Sequence, residues 1–505
     1  MTLTDRPRAP RRGRAARLVA AALALSLLAG TPVRAQLPAM GEGGELNISA
    51  ERKLGERIAR ELYRDPDYID DPVLVEYVQG IWQPLLAAAR ARGELTGDID
   101  ERFAWQVLLG KDRTINAFAL PGGWLGLHLG LVSVTANRDE LASVLAHELS
   151  HVTQRHISRL ATAQSQQAPW MMAAILLGAL AVGRNPQAGG AIISGTSALA
   201  AQQQLNFSRD MEREADRIGL GVMEGAGFEP QGFVTMFEKL QQAARLNDTG
   251  AFPYLRTHPM TTERAADMQS RQQLSGHGQA KATLDHSMAA GRAKVFSNPG
   301  VDALRGMLTE ADSSTFAGLP RPRQAGVLYA AAFAAARLRE PAQVTRLLAR
   351  LDTVVAGDAS AQRLARLLAA EIALEQGDAA RTLKLVDADS KRRPDLLLGA
   401  QAQIRTGQAA DAAQRLQTWV ATQPRDATAW QLLSAAYTAQ GQGVRAIRAE
   451  AESRVAQLDY TAALDRFKAA QALVRGGAGD HIEASIIDTR ARQVESLLRE
   501  QALER

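Results

Sequence analysis

Apolar positions change their rhythm twice along this 505-residue chain. From about Ser49 to Arg92 they recur every three to four residues, the period of an amphipathic helix. Between residues 104 and 135 a sheet-like pattern replaces it. "AWQVLLG" (104–110) reads as a strand, "KDRTINAFALPGG" as turns, and "WLGLHLGLVSV" alternates apolar with small residues. Helical spacing returns from Arg138 through about residue 161, and again near 209. The intervening 164–205 enclose one apolar run, "WMMAAILLGALAVG" (170–183). That run is short for a membrane span, so a lid or packing role fits it better than peripheral contact with membrane or with a hydrophobic client.

Beyond about residue 300 the strand signal ends, and Ala, Leu, Arg and Gln dominate. Gly407 and Gly441 lie 34 residues apart, as do Ala412 and Ala446, while Pro424 precedes Trp430, Leu433 and Tyr437. A 34-residue unit with a terminal proline has the tetratricopeptide spacing, and about four helical hairpins are expected. Stacked hairpins leave a concave face that accepts segments of other proteins. The expectation is an α+β domain over 36–300, mostly helical with a small sheet, followed by an all-α repeat solenoid over 301–505.

The first 35 residues carry a different pattern. Arg6, Arg8, Arg11, Arg12, Arg14 and Arg17 precede the apolar run "LVAAALALSLLAG" (18–30), and Val33-Arg34-Ala35 supplies a cleavage-like junction. This is the layout of a secretory signal peptide, which places the mature protein beyond the inner membrane. The assignment also changes the charge. Residues 1–35 hold seven Arg and one Asp, whereas the whole chain is only +5, so the remainder is close to −1. The basic balance is therefore a targeting feature, and nucleic acid is excluded as a partner. The chain has no cysteine. A disulfide framework and a lipid-anchoring cysteine are thus ruled out, and any metal must be held by His, Asp or Glu.

"LASVLAHELSHVTQRHISRL" (141–160) supplies such ligands. On a helix His147 and His151 project about 40° apart, with Leu145, Leu149 and Val152 on the opposite, core-facing side. Two imidazoles one turn apart close on one ion without bending the backbone. Glu148 lies about 60° from His151 around the axis, positioned to reach a water rather than the ion. His156 falls on the core face, pointing away, and reads as a structural or surface histidine. The longer motif HExxHxxGxxH would need a glycine and a histidine where this chain has Gln154 and Ile157. A third ligand must come from elsewhere. In "SRDMEREADRIGL" (208–220), Glu212 with Asp216, or Glu214 with Asp210, borders the buried stripe, and helical angles leave both pairs open.

These motifs, with "NAFALPGG" (116–123) and "THP" (257–259), resemble the gluzincin metallopeptidases of the CaaX-prenyl-protease-like family, in particular the periplasmic branch with C-terminal tetratricopeptide repeats. The resemblance implies a zincin-like peptidase domain holding one Zn2+ per chain. It implies Glu212 rather than Glu214 as third ligand beside His147 and His151, Glu148 as general base, and Asp216 as support and proton donor. It further implies clients among outer-membrane β-barrel proteins and their assembly machinery, with misassembled forms degraded in the periplasm. "NAFALPGGWLGLHLGLV" is expected to form a turn and an edge strand that pairs with extended substrate. His258, ahead of Pro259, is either a fourth ligand that blocks the metal until substrate displaces it or a structural cap. The competing reading is a chaperone or scaffold whose metal site is latent.

Overall fold

The structure, a computed structural model, describes residues 47–95, 97–163, 208–245, 253–275 and 278–502. The signal-like segment 1–35 and the apolar run 170–183 lie outside the described residues. The first helical stretch is two helices rather than one. Helix α1 (Ile48–Arg64) is capped by the Asn47 side chain and is followed by Asp65 and Pro66. A two-residue strand β1 (Tyr68–Ile69) intervenes before α2 (Pro72–Ala91), which Asp71 caps and Pro72 starts. Proline lacks the amide that a continuing helix needs, but fits its first turn.

Strands β2 (Gln106–Gly110), β3 (Ala117–Leu120) and β4 (Trp124–His128) complete a sheet of order β1-β2-β4-β3. β2 runs parallel to β4, and β3 antiparallel to it at the edge. Strand β3 thus lies inside the segment expected to be turns, because its four residues are too few to show a period between turn-forming neighbours. The alternation expected to continue past His128 instead becomes helix α3 (Leu129–Val134).

Helix α4 (Arg138–Thr153), capped by Asn137, is the spine of this half; every residue from Asp139 to Thr153 is buried. It stops earlier than its pattern suggests. Arg155 takes a left-handed conformation (φ 52°) and starts a new helix, α5 (His156–Ala163). Helix α6 (Arg209–Gly225), capped by Ser208, packs along α4. Gly219 permits the approach: a Cβ there would stand 3.2 Å from the backbone of Ala146 and His147. Helices α7 (Gln231–Arg245) and α8 (Thr262–Ser275) close the layer.

Helix α9 (Leu284–Ser297) is apolar on two sides. Ala289 and Ala293 join the core beneath the sheet, whereas Leu284, Met288 and Val295 join the core of the helices that follow. Those are α10 (Val301–Ala311), then α11 (Arg321–Arg337) with α12 (Pro341–Val355), and α13 (Ala359–Glu375) with α14 (Ala379–Leu385). Next come α15 (Arg393–Arg405) with α16 (Ala409–Thr422), α17 (Ala427–Ala439) with α18 (Gly443–Ala456), and α19 (Tyr460–Arg475) with α20 (His481–Ala502). Among the described residues these make five successive helix pairs after residue 320, one more than the spacing suggested. Gly407 and Gly441 both adopt φ values of 83° and 72°, ending α15 and α17 in the left-handed turn that glycine accommodates without strain.

The helical array returns to the first described helix. Leu54 and Ile58 of α1 share a core with Leu120 and Trp124 of the sheet region and with Tyr460, Phe467 and Ile487. Arg393 pairs with Asp70 at 2.6 Å and Arg363 with Glu76, which ties the array to the β1–α2 corner and to α2. Among the described residues no helix is long and apolar enough to cross a membrane.

Candidate metal centre

Three elements bring the predicted site residues to one buried point: α4 supplies His147, Glu148 and His151, α6 supplies Glu212 and Asp216, and the turn before α8 supplies His258. All six are at most 1% exposed. The Nε2 atoms of His147 and His151 lie 3.0 Å apart. Glu212 stands 3.5 Å from Nε2 of His147 and 3.4 Å from that of His151. His258 Nδ1 lies 3.4 Å from His147 Nε2 and 3.0 Å from Glu212 Oε1. Donors held about 2.0–2.1 Å from a tetrahedral zinc are spaced about 3.3 Å from one another. The four donors of His147, His151, Glu212 and His258 therefore have the separations of one coordination shell, and all lie within 4.8 Å of one another.

Charge points the same way. Glu148, Glu212 and Asp216 are three buried carboxylates facing a single buried guanidinium, that of Arg264. Buried charge of one sign is costly unless compensated, and a dication compensates the excess. Burial raises the pKa of Glu148. Burial acts in the same direction on Glu212, but the surrounding His258, His147 and His151 overcome it and hold that carboxyl well below its usual range. Burial opposes the charged imidazole of His147, yet hydrogen bonding to Asp216 and Glu212 prevails and pushes its pKa up to about 9. The donor set thus fits zinc in number, spacing and charge.

Around the donors a further layer of contacts fixes orientation. His147 Nδ1 lies 2.9 Å from Asp216 Oδ1. Arg264 donates to both Asp216 oxygens at 2.7 Å and pairs with Glu212 at 2.7 Å. The Ala119 amide of edge strand β3 donates to Glu148 Oε2 at 2.9 Å, while Glu148 Oε1 lies 3.5 Å from His258 Nε2. The His258 ring stacks on Tyr254, with centroids 4.6 Å apart. Glu214 is absent from the cluster. It meets His156 and Arg159 instead.

A sequence model of peptidase family M48 matches residues 83–272, the segment that contains all of these groups. The chain is 30% identical over 466 residues to the beta-barrel assembly-enhancing protease of Escherichia coli (strain K12), covering 91% of each chain. The chain belongs to peptidase family M48. The Yersinia pestis beta-barrel assembly-enhancing protease is 31% identical over 484 residues, covering 92% of this chain and 93% of that one. The mitochondrial metalloendopeptidase OMA1 of Saccharomyces cerevisiae is 28% identical over 197 residues, covering 38% of this chain and 54% of the relative.

As an M48 member the protein is a zinc metalloendopeptidase, and among the described residues one group of donors is suited to one ion. Several neighbours of this M48 site escaped sequence reasoning. Arg264 lies at the start of α8, and its carboxylate partners Asp216 and Glu212 are on α6, about fifty residues earlier. Tyr254 and the Ala119 amide belong to no motif that spacing reveals. His156 was expected to point away from the site. It is buried, and its Nδ1 lies 2.9 Å from Nδ1 of His151, because the left-handed Arg155 turns the chain back. Burial lowers the His156 pKa to about 4.

Proposed function

We propose that the protein is a periplasmic zinc endopeptidase that hydrolyses peptide bonds of misassembled outer-membrane β-barrel proteins. In this reading residues 1–35 are a secretory signal and 36–300 the peptidase domain. Residues 301–505 form a tetratricopeptide-repeat domain that recruits clients and contacts their assembly machinery. The observation that carries the catalytic part is the buried four-donor set at 3.0–3.5 Å. Similarity to the beta-barrel assembly-enhancing proteases supports the client class and the compartment. Left-handed glycines 34 residues apart at matching helix ends support the repeats.

His147, His151 and Glu212 hold the metal in this reading. When bound, zinc supplies a Lewis acid and brings the pKa of water down to about 7. Glu148 accepts the proton of the attacking water and returns it to the leaving amine. The Ala119 amide fixes one oxygen of Glu148 and leaves the other directed at the site. Asp216 acts through His147, holding its Nδ1 so that Nε2 faces the metal; with both oxygens engaged by Arg264 and His147, it is read as a positioning residue rather than the proton donor. Edge strand β3 accepts an extended client segment through backbone hydrogen bonds.

His258 is read as a removable fourth ligand. Its two nitrogens bridge the donor cluster and Glu148, the space an attacking water needs. Replacing His258 by Ala raises hydrolysis of an unfolded model substrate; unchanged or lost activity removes the blocking role. The reading as a whole is tested on mature protein by metal analysis and by digestion of unfolded β-barrel protein with and without chelator. Absence of zinc, or cleavage that survives its removal, overturns it. The latent-site alternative draws on the same His258 contact, and Glu148→Gln separates the two. Loss of cleavage with zinc and client binding intact supports the peptidase, whereas full function in cells carrying that variant supports the chaperone.

A further inference from the structure

Beyond the ligands themselves, we infer that Glu214 and His156 form a positioning relay that fixes the proton of His151, as Asp216 does for His147. This inference rests on the reading of His151 as a zinc ligand through Nε2. His151 Nδ1 and His156 Nδ1 lie 2.9 Å apart, so one proton is shared between two ring nitrogens. A neutral imidazole that gives Nε2 to a metal carries its proton on Nδ1. His156 must then accept through a bare Nδ1 and carry its own proton on Nε2. That nitrogen lies 3.1 Å from Glu214 Oε2, which can only accept while ionised. Arg159 pairs with the same oxygen at 3.0 Å and keeps it so. The direction of every proton in the chain is set by the carboxylate at its end.

Two further observations favour a built device over incidental packing. His156 is fully buried and reaches His151 only because Arg155 adopts a left-handed backbone, a conformation that costs a non-glycine residue about 1–2 kcal/mol. Arg155 is in turn held by the buried Glu51 at 3.0 Å. Both histidines of α4 are thereby oriented from one helix, α6, whose Asp216 and Glu214 serve them separately. Glu214, the alternative third ligand by helical angle alone, thus acquires a distinct role two residues from Glu212.

The test is zinc affinity, measured on the mature full-length chain by competition with a chromophoric chelator, beside thermal stability of the metal-free forms. His156→Phe keeps ring volume and loses the acceptor, and it weakens zinc binding by about 10–100-fold. His156→Asn keeps an oxygen at the Nδ1 position and retains an affinity near the native one, although it packs less well and its metal-free form is the less stable of the two. A packing role gives the opposite order. Equal affinity losses in the two variants, or native affinity in His156→Phe, overturn the relay. Glu214→Ala, at a part-exposed position that folding tolerates, lowers affinity several-fold; native affinity there overturns the relay even if the His156 variants misfold. His151→Ala keeps the two claims apart. If it retains zinc, the ligand reading itself fails; if it loses zinc while His156→Phe does not, only the relay fails.

Discussion

The two halves of the molecule both bury charge, and they do so in opposite ways. In the helical array and along its seam with the first half, guanidinium ions are answered by carboxylates beside them. Arg292 meets Asp71 and Glu371, Arg393 meets Asp70 and Asp426, and Arg490 meets Glu452. Around α4 the ions converge instead: three carboxylates and three histidines crowd one point with a single guanidinium among them. A guanidinium set between its own one or two carboxylates fixes how elements dock. A cluster of imidazoles and carboxylates converging on one point is completed by a cation, and that convergence separates a functional site from a structural seam more sharply than burial does.

Removing one charge at the metal centre and one at the seam with the array breaks the comparison where it is strongest. Glu148→Gln is isosteric and can still accept from the Ala119 amide, so the fold is preserved. Its kcat falls by roughly 10²–10⁴-fold, the usual contribution of a general base, while zinc content and unfolding midpoint stay native. At the seam, Arg292→Met leaves Asp71 and Glu371 without their cation. Stability drops by about 3–5 kcal/mol in urea unfolding, yet kcat per folded molecule is unchanged. A Glu148 variant that is chiefly unstable, or an Arg292 variant that is chiefly inactive, would erase the distinction.

How much of this was legible in the sequence follows from distance along the chain. The motif 147–151 spans one helical turn, so its geometry is local and readable. Glu212 and Glu214 flank one buried stripe, and only the docking of α6 on α4 through Gly219 tells them apart. The break at Arg155 was invisible because no glycine or proline marks it; the side chain of Glu51, about a hundred residues earlier, stabilises it from outside. The return of the C-terminal helices to α1 was equally hidden, since a helix apolar on a broad face does not reveal its partner. Gly407 and Gly441 were legible as repeat markers because the helix end itself demands their conformation. Gly407→Ala accordingly costs about 1–2 kcal/mol in the urea midpoint through the left-handed backbone alone, with zinc affinity untouched.

The smallest effect sharpens the comparison by titration. His286 on α9 lies in the seam, buried and fully paired. Its Nε2 donates to the Thr135 carbonyl at 2.8 Å, and its Nδ1 accepts from the Tyr77 hydroxyl at 2.5 Å. Both bonds suit a neutral ring. Burial lowers its pKa, and the hydrogen bond to Thr135 with nearby Asp285 and Glu140 does not restore it, Lys239 acting in the same sense as burial. The unfolded chain therefore takes up this proton first as pH falls from the ordinary value near 6.5. Stability from this group is complete above about pH 6.5 and declines as pH drops toward the lower folded value, by at most about 1.4 kcal/mol per pH unit. Comparing zinc-saturated wild type with His286→Gln between pH 7.5 and 5 isolates the contribution, because the site histidines are common to both. A wild-type curve as flat as that of the variant would mean that the seam titrates nothing, and that proton-dependent stability belongs to the metal centre alone.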